Sequence, residues 1–143
     1  MEPKHDDLSA ISLAQLREAR SWQQQYKLII QWGKLIGPKP ALRLSDNIIR
    51  GCEVPVWLVH TSEQGRHYFE LDCDSSVIKG LASLLLVQVN GKTSEALSGL
   101  DLHGELHSLG LEKHLTPSRN NGLNAIIARI YQHLNQTASL FIN

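Results

Sequence analysis

The chain carries no surplus charge of either sign, no internal repeat and no apolar run long enough to cross a bilayer. Lys and Arg total 14 and Asp and Glu total 14. That balance excludes functions resting on bulk electrostatics. A nucleic-acid binder of this size carries a cationic excess to neutralise phosphates, and a peripheral membrane protein shows a basic amphipathic face. Neither nucleic acid nor membrane is therefore an expected partner. The longest apolar-dominated stretch, residues 77–89, is broken by Lys79, Ser83 and Gln88 and is too short to span a membrane. The opening Met-Glu-Pro-Lys-His-Asp-Asp has no apolar segment behind a basic start, so it does not read as a signal peptide. The expected address is cytoplasmic, where thiols stay reduced.

Familiar catalytic signatures are missing too. There is no Gly-x-Ser-x-Gly elbow, no Gly-x-Gly-x-x-Gly loop, no Walker A motif and no Cys-x-x-Cys pair. His103 and His107 stand four apart on a predicted helix, but Glu105 is one place off the zinc-protease pattern and a third ligand is missing. His5, His60, His67, His114 and His133 are scattered along the chain. No metal site is expected.

What is present is an ordinary folded domain. With 42% hydrophobic and 20% charged residues, the chain is too apolar to be disordered, and its 143 residues suffice for one core. A loose tail over residues 1–10 and a single domain over 11–143 are predicted. A short helix is expected near 13–19. Ser21 with Gln24 opens a longer one, in which Trp22, Tyr26, Ile29, Gly33 and Ile36 recur at helical spacing until Gly37-Pro38. Residues 54–60 and 67–71 read as two strands joined by a hairpin loop at 62–66. Residues 72–75 are rich in capping side chains, and the run to Val89 is apolar almost all round, as in a buried central helix. Short helices follow at 93–97 and 102–109. Thr116-Pro117 then opens a long terminal helix with Leu123, Ile127, Ile130 and Leu134 as its core stripe. The fold class is α+β: a small antiparallel sheet packed with helices, one of them buried.

With the other chemistries absent, the two cysteines remain. Cys52 follows Gly51 and stands just before a strand, where a rigid sheet can hold a functional loop. The segment Ile49-Arg50-Gly51-Cys52-Glu53-Val54-Pro55-Val56-Trp57 resembles the active-site motif of the SufE/CsdE family of sulfur acceptors. Trp22, Tyr26 and Gly33 are similar to that family's first long helix. Residues 72–81 resemble its Asp-Ser-Asp…Ile-Val-Lys-Gly-Leu segment, and residues 115–123 its Leu-Thr-Pro-Ser-Arg-x-x-Gly-Leu segment. Three positions depart from the pattern: Val54, where Ser or Asn is usual, Pro55, which stiffens the same stretch, and Cys73, where Ser is usual.

The resemblance implies a SufE/NifU-like fold with a curved antiparallel sheet. It also implies that Cys52 accepts sulfane sulfur from a cysteine desulfurase as a persulfide, stimulates that enzyme, and passes sulfur on to a downstream recipient or iron–sulfur scaffold. Pyridoxal phosphate belongs to the desulfurase, and no cofactor is expected on this chain. Gly51, Arg50, Glu53, Arg119, Asp74 and Cys73 form the supporting or partner surface, with Arg119 brought near by folding. Asp72 and Asp74 are expected to cap a helix and Trp57 to lie in the core. If His60 faces His67, then Val54 faces Cys73, and Cys52 lies on the same sheet face as Cys73. Cys73 is then either a second sulfur site, a resolving thiol or simple packing. Two other functions stay open: a thiol oxidoreductase using Cys52 and Cys73, and a regulatory module that binds a desulfurase without carrying sulfur. Cys52 itself is expected to be shielded by apolar neighbours, because a persulfide is labile to reductants and oxidants.

Overall fold

Helices in this chain begin where a side-chain oxygen can accept a free backbone N–H. Ser12, Ser21, Ser75, Thr93, Asp101 and Thr116 each accept from the backbone N–H three residues on. The computed structural model describes residues 5–142, of which 137–142 are described as helix backbone only. The helices are α1 (Leu13–Glu18), α2 (Trp22–Gly33), α3 (Ser76–Val89), α4 (Ser94–Leu97), α5 (Leu102–Ser108) and α6 (Pro117–Ile142). Helix α2 ends at Gly33, one turn before Gly37-Pro38, and the intervening residues turn instead of continuing the helix.

The sheet has three antiparallel strands in the order β1 (Val56–Glu63), β2 (Arg66–Cys73), β3 (Lys92–Thr93). The expected loop at 62–66 shrinks to Gln64-Gly65, both with positive φ, 52° and 77°. That is a two-residue primed turn, whose twist matches the flanking strands. Gln is an uncommon residue in this conformation, which hides the tight turn from a reading of the sequence. The tighter turn moves the register by two residues. His60 faces Phe69 and Val56 faces Cys73, replacing the expected pairs His60–His67 and Val54–Cys73. Strand β3 was not predicted. It pairs two residues only, and the Asn90 side chain extends it by exchanging both amide hydrogen bonds with the Phe69 backbone, at 2.8 and 3.1 Å.

Helix α3 is buried on nearly every face, between the sheet, α2 and α6. Its contact with α2 is close enough to exclude a Cβ at two glycines. A Cβ on Gly80 would lie 2.3 Å from the Ile29 carbonyl oxygen, and one on Gly33 would lie 2.8 Å from the Gly80 nitrogen. The expected architecture, α+β with a small antiparallel sheet, is the observed one.

Two readings of the sequence change. The chain is docked from residue 5, not from residue 11. His5 stacks on Tyr68 at 4.1 Å and hydrogen-bonds Glu70, Asp6 pairs with Lys39, and Leu8 joins the core. Residues 1–4 lie outside the described residues. The scattered histidines also converge. His60 Nε2 is 2.8 Å from His67 Nδ1, His67 Nε2 is 2.7 Å from the Ser94 hydroxyl, and the His133 ring stacks on His60 at 5.4 Å. Burial, with the neighbouring His67 and His133, pushes His60 down to about 4; burial also lowers His67 and His133. The i,i+4 pair on α5 is used differently: His107 bonds Glu112 at 2.9 Å.

Two outcomes follow from this packing. Gly80→Ala would gain about 1 kcal/mol of helix propensity on a free helix. Here overpacking should reverse the sign and cost a net of about 2 kcal/mol, read as a lower urea midpoint. The histidine cluster should make stability pH-dependent. These imidazoles bind protons more weakly folded than unfolded, so their contribution is complete above about pH 6.5, their ordinary value, and is lost as pH falls towards 4. Thermal unfolding midpoints should drop across that window, and His60→Gln should flatten the slope.

Candidate functional site

The segment carrying Cys52 is a loop pinned at its base. The Ile49 N–H donates to the Val56 carbonyl at 2.8 Å, and Ile48 bridges Trp57, so residues 50–55 form the free arc ahead of β1. Gly51 sits at φ +93°, a conformation side-chain-bearing residues rarely adopt, and it turns the chain so that Cys52 points inward. The Cys52 thiol is half-buried and lies 3.7 Å from the Gly122 carbonyl oxygen of α6. A second tie holds the loop: the Ser118 hydroxyl donates to the Glu53 carboxylate at 2.7 Å. Sequence supplies both partners through the Gly-Cys-Glu segment and the first turn of α6.

Cys52 opens into a cleft of about 430 Å³. Val54 and Val56 form one wall, Ser75 and Ile78 at the start of α3 another, and Arg119 and Gly122 of α6 a third. The expected shielding of the thiol is therefore present. Gly122 keeps the space open, since a Cβ there would stand 3.8 Å from the Cys52 sulfur and 3.6 Å from Ile78. A larger concavity, about 590 Å³ between α5 and α6, is lined by residues such as His103, His107, Glu112 and Leu123 and contains no cysteine.

The fold brings Cys52, Glu53 and Arg119 together. The Arg119 guanidinium makes no ion pair among the described residues, so its charge is available at the cleft. Arg50 is exposed and does not line the cleft. Gly51 contributes its backbone conformation. Cys73 is 2% exposed and faces Val56 across β1 and β2.

Asp72 and Asp74 do not cap α3; Ser75 does. Both carboxylates bind Arg43, through Nε to Asp72 at 2.7 Å and through the guanidinium fork to Asp74 at 2.7 and 3.3 Å. The same guanidinium lies 4.5 Å over Trp57, which is half-buried beneath it and not part of the core as expected. Nothing in the sequence singled out Arg43, because its partners stand about thirty residues away. Burial pushes the Asp72 carboxyl up, but Arg43 and the backbone N–H groups of Lys39 and Cys73 outweigh it and hold the group below the usual carboxylate range. Asp74 is lowered by Arg43, and Arg43 is raised in return. Leu44, next in the chain, is 62% exposed.

The thiols go the other way. Burial, reinforced by the neighbouring Cys73, pushes the Cys52 thiol up. Burial also raises Cys73, against the Ser75 N–H that its sulfur accepts at 3.3 Å. At rest both are protonated.

Comparison with known proteins places this geometry. Residues 11–134 match the family described as SufE: Fe-S metabolism associated domain. A solved structure, the solution structure of a hypothetical protein from Thermus thermophilus, superposes with a TM-score of 0.71 at 18% identity. The match covers 94% of this chain and 98% of that one, and it shows a shared fold. Among the described residues, no helix is long and apolar enough to cross a membrane.

The raised thiols predict slow alkylation. Iodoacetamide should modify Cys52 more slowly at pH 7 than it modifies a free thiol, with the rate climbing beyond pH 9, the ordinary cysteine value. Cys73 should react more slowly still, as peptide mass spectrometry would resolve.

Proposed function

Because the chain belongs to the SufE family, a domain associated with iron–sulfur metabolism, we propose that it accepts sulfane sulfur on Cys52 from a cysteine desulfurase and delivers it for cluster assembly. The observation that carries this reading is the half-buried Cys52 at the mouth of a cleft with room for one more sulfur atom. In the transfer, the Cys52 thiolate attacks the outer sulfur of the desulfurase's cysteine persulfide. A new sulfur–sulfur bond forms on Cys52, the old one breaks, and the desulfurase cysteine leaves with the electron pair and takes up a proton. The pyridoxal phosphate chemistry that generates the persulfide stays with the desulfurase.

Each neighbour has a part in that reading. A thiol held protonated at rest does not attack stray disulfides, and it becomes a nucleophile when docking removes its proton. Arg119 offers the positive charge that steadies a thiolate or persulfide anion at the cleft. Glu53, by its bond to Ser118, holds the loop closed until a partner competes for that contact. The conformation at Gly51 lets the loop turn without side-chain strain. Beside the cleft, Asp74, Arg43 and the exposed Leu44 offer a partner a mixed charged and apolar shoulder. With no net charge to drive long-range attraction, docking through such a local patch should weaken only modestly with salt. Stimulation of the desulfurase follows from clearing its persulfide each turnover. Delivery repeats the exchange in reverse, onto a recipient thiol or an iron–sulfur scaffold.

Cys52→Ser tests the proposal. With a desulfurase loaded with radiolabelled sulfur, the variant should bind as the wild type does yet accept no label and give no stimulation. Label on the variant would overturn Cys52 as acceptor. Unchanged stimulation without label would assign the chain to a regulatory module instead.

A further inference from the structure

We propose that Cys73 is a second sulfur site, onto which the outer sulfur of a Cys52 persulfide moves beneath the floor of the cleft. The inference rests on Cys52 being the acceptor and adds a destination inside the same molecule.

The placement comes from the hairpin register. Cys73 faces Val56 directly across β1 and β2. Directly paired residues project to the same side of a sheet with Cβ atoms about 4.5–5.5 Å apart. Val56 lines the Cys52 cleft, and so do Ser75 and Ile78, two and five residues beyond Cys73. The Cys73 side chain therefore lies beside Val56 on the same face of the sheet, next to the cleft into which Cys52 opens. It is 2% exposed, so no solvent reductant reaches it. The two thiols are close enough for one to influence the ionisation of the other. The Cys73 sulfur also already accepts the Ser75 N–H at 3.3 Å, at the start of the fourteen-residue α3. That donor favours a sulfur bearing negative charge, which is what both an attacking thiolate and a persulfide anion require.

The chemistry balances without an oxidant or a reductant. The Cys73 thiolate attacks the outer sulfur of the Cys52 persulfide. The bond from Cys73 to that sulfur forms as the bond from Cys52 to it breaks. The electron pair of the broken bond leaves on the Cys52 sulfur, which takes up the proton lost by Cys73. One persulfide and one thiol become one thiol and one persulfide. The travelling atom bridges the gap, so the two cysteine sulfurs need only approach to roughly two S–S bond lengths, about 4 Å, whereas a disulfide would require about 2 Å. Side-chain movement of Val56 and Ile78 opens the way. A sulfur parked on Cys73 is shielded from the reductants and oxidants that consume an exposed persulfide, and it leaves Cys52 free to receive another.

Trypsin separates the two sites, because cleavage after Arg50, Arg66 and Lys79 leaves Cys52 in peptide 51–66 and Cys73 in peptide 67–79. The full chain is loaded with sodium tetrasulfide or by a persulfurated desulfurase. Samples are acid-quenched at intervals, alkylated in denaturant and read by mass spectrometry. The added sulfur should appear first on 51–66 and then on 67–79, with their sum constant. In Cys73→Ser and Cys73→Ala, either of which preserves the small volume at this position, the sulfur should stay on 51–66. It should then be lost to dithiothreitol several-fold faster than from the wild type. In Cys52→Ser, peptide 67–79 should gain no sulfur. Sulfur that loads 51–66 and never reaches 67–79 overturns the inference while leaving the acceptor role intact. So does direct loading of 67–79 in Cys52→Ser, and so does a disulfide between the two peptides with release of hydrogen sulfide. Failure of 51–66 to load from the desulfurase is a different result and overturns the acceptor role itself.

Discussion

Helices α2 and α3 touch at Gly33 and Gly80, where neither glycine leaves room for a Cβ, and the surroundings of Cys52 take their positions from that contact. Because a Cβ at Gly80 would fall within 2.3 Å of the Ile29 carbonyl, the two axes can approach only if both positions stay bare. That approach fixes where α3 begins. Its first turn delivers Ser75 and Ile78 to the cleft wall, and Lys79 reaches back to the Ile36 carbonyl at 3.5 Å. On its other faces α3 supports β2 and α6, so the wall formed by Val56 and the wall formed by Arg119 and Gly122 are both referenced to it. The cleft is a product of helix packing more than of the loop that carries its cysteine.

The sequence was informative where a local determinant carried a familiar signal. The capping residues Ser21, Ser75 and Thr116, the apolar run from Val77 to Val89 and the Gly-Cys segment all act within a few residues, and each element stood where these signals put it. It was less informative where the determinant was distant. Arg43 reaches Asp72 and Asp74 across about thirty residues and covers Trp57, so residues that looked like helix caps and a core aromatic turned out to gather around one guanidinium, with Asp72 buried and Asp74 exposed. His60, His67 and His133 had no common spacing to betray them. The hairpin register depended on one residue, Gln64, taking a positive φ that its chemistry does not favour. Cys52 and Glu53 stand in one motif and Arg119 in another about sixty residues on, and the fold brings the three to one cleft; Arg50, adjacent in sequence, is not drawn in because the loop turns it outward.

Charge in this protein is sorted, although its total is zero. The acidic pair beside Trp57 is spent on Arg43, and Glu53 is spent on Ser118. Arg119 keeps its charge at the cleft. The thiol that shares this cleft is held neutral by burial, so the resting site combines an unpaired cation on one wall with a protonated thiol on another. Such a pairing costs little while the thiol is protonated and becomes favourable once it is not. In the proposed role, this asymmetry ties nucleophilicity to the docked state, where water is excluded and the cation is felt most strongly.

The tether at Ile49 limits how far the sulfur can travel. Cys52 is the third residue beyond the carbonyl-bound Ile49, and even a fully extended chain advances about 3.3–3.6 Å per residue. The cysteine can thus swing through a radius of roughly 10 Å about its pinned base and no further. A donor or recipient thiol recessed more deeply than this in its own protein stays out of range however tightly the surfaces bind. The loop is a short lever on a fixed pivot, and in the proposed role its length sets the depth at which a partner can hold its sulfur.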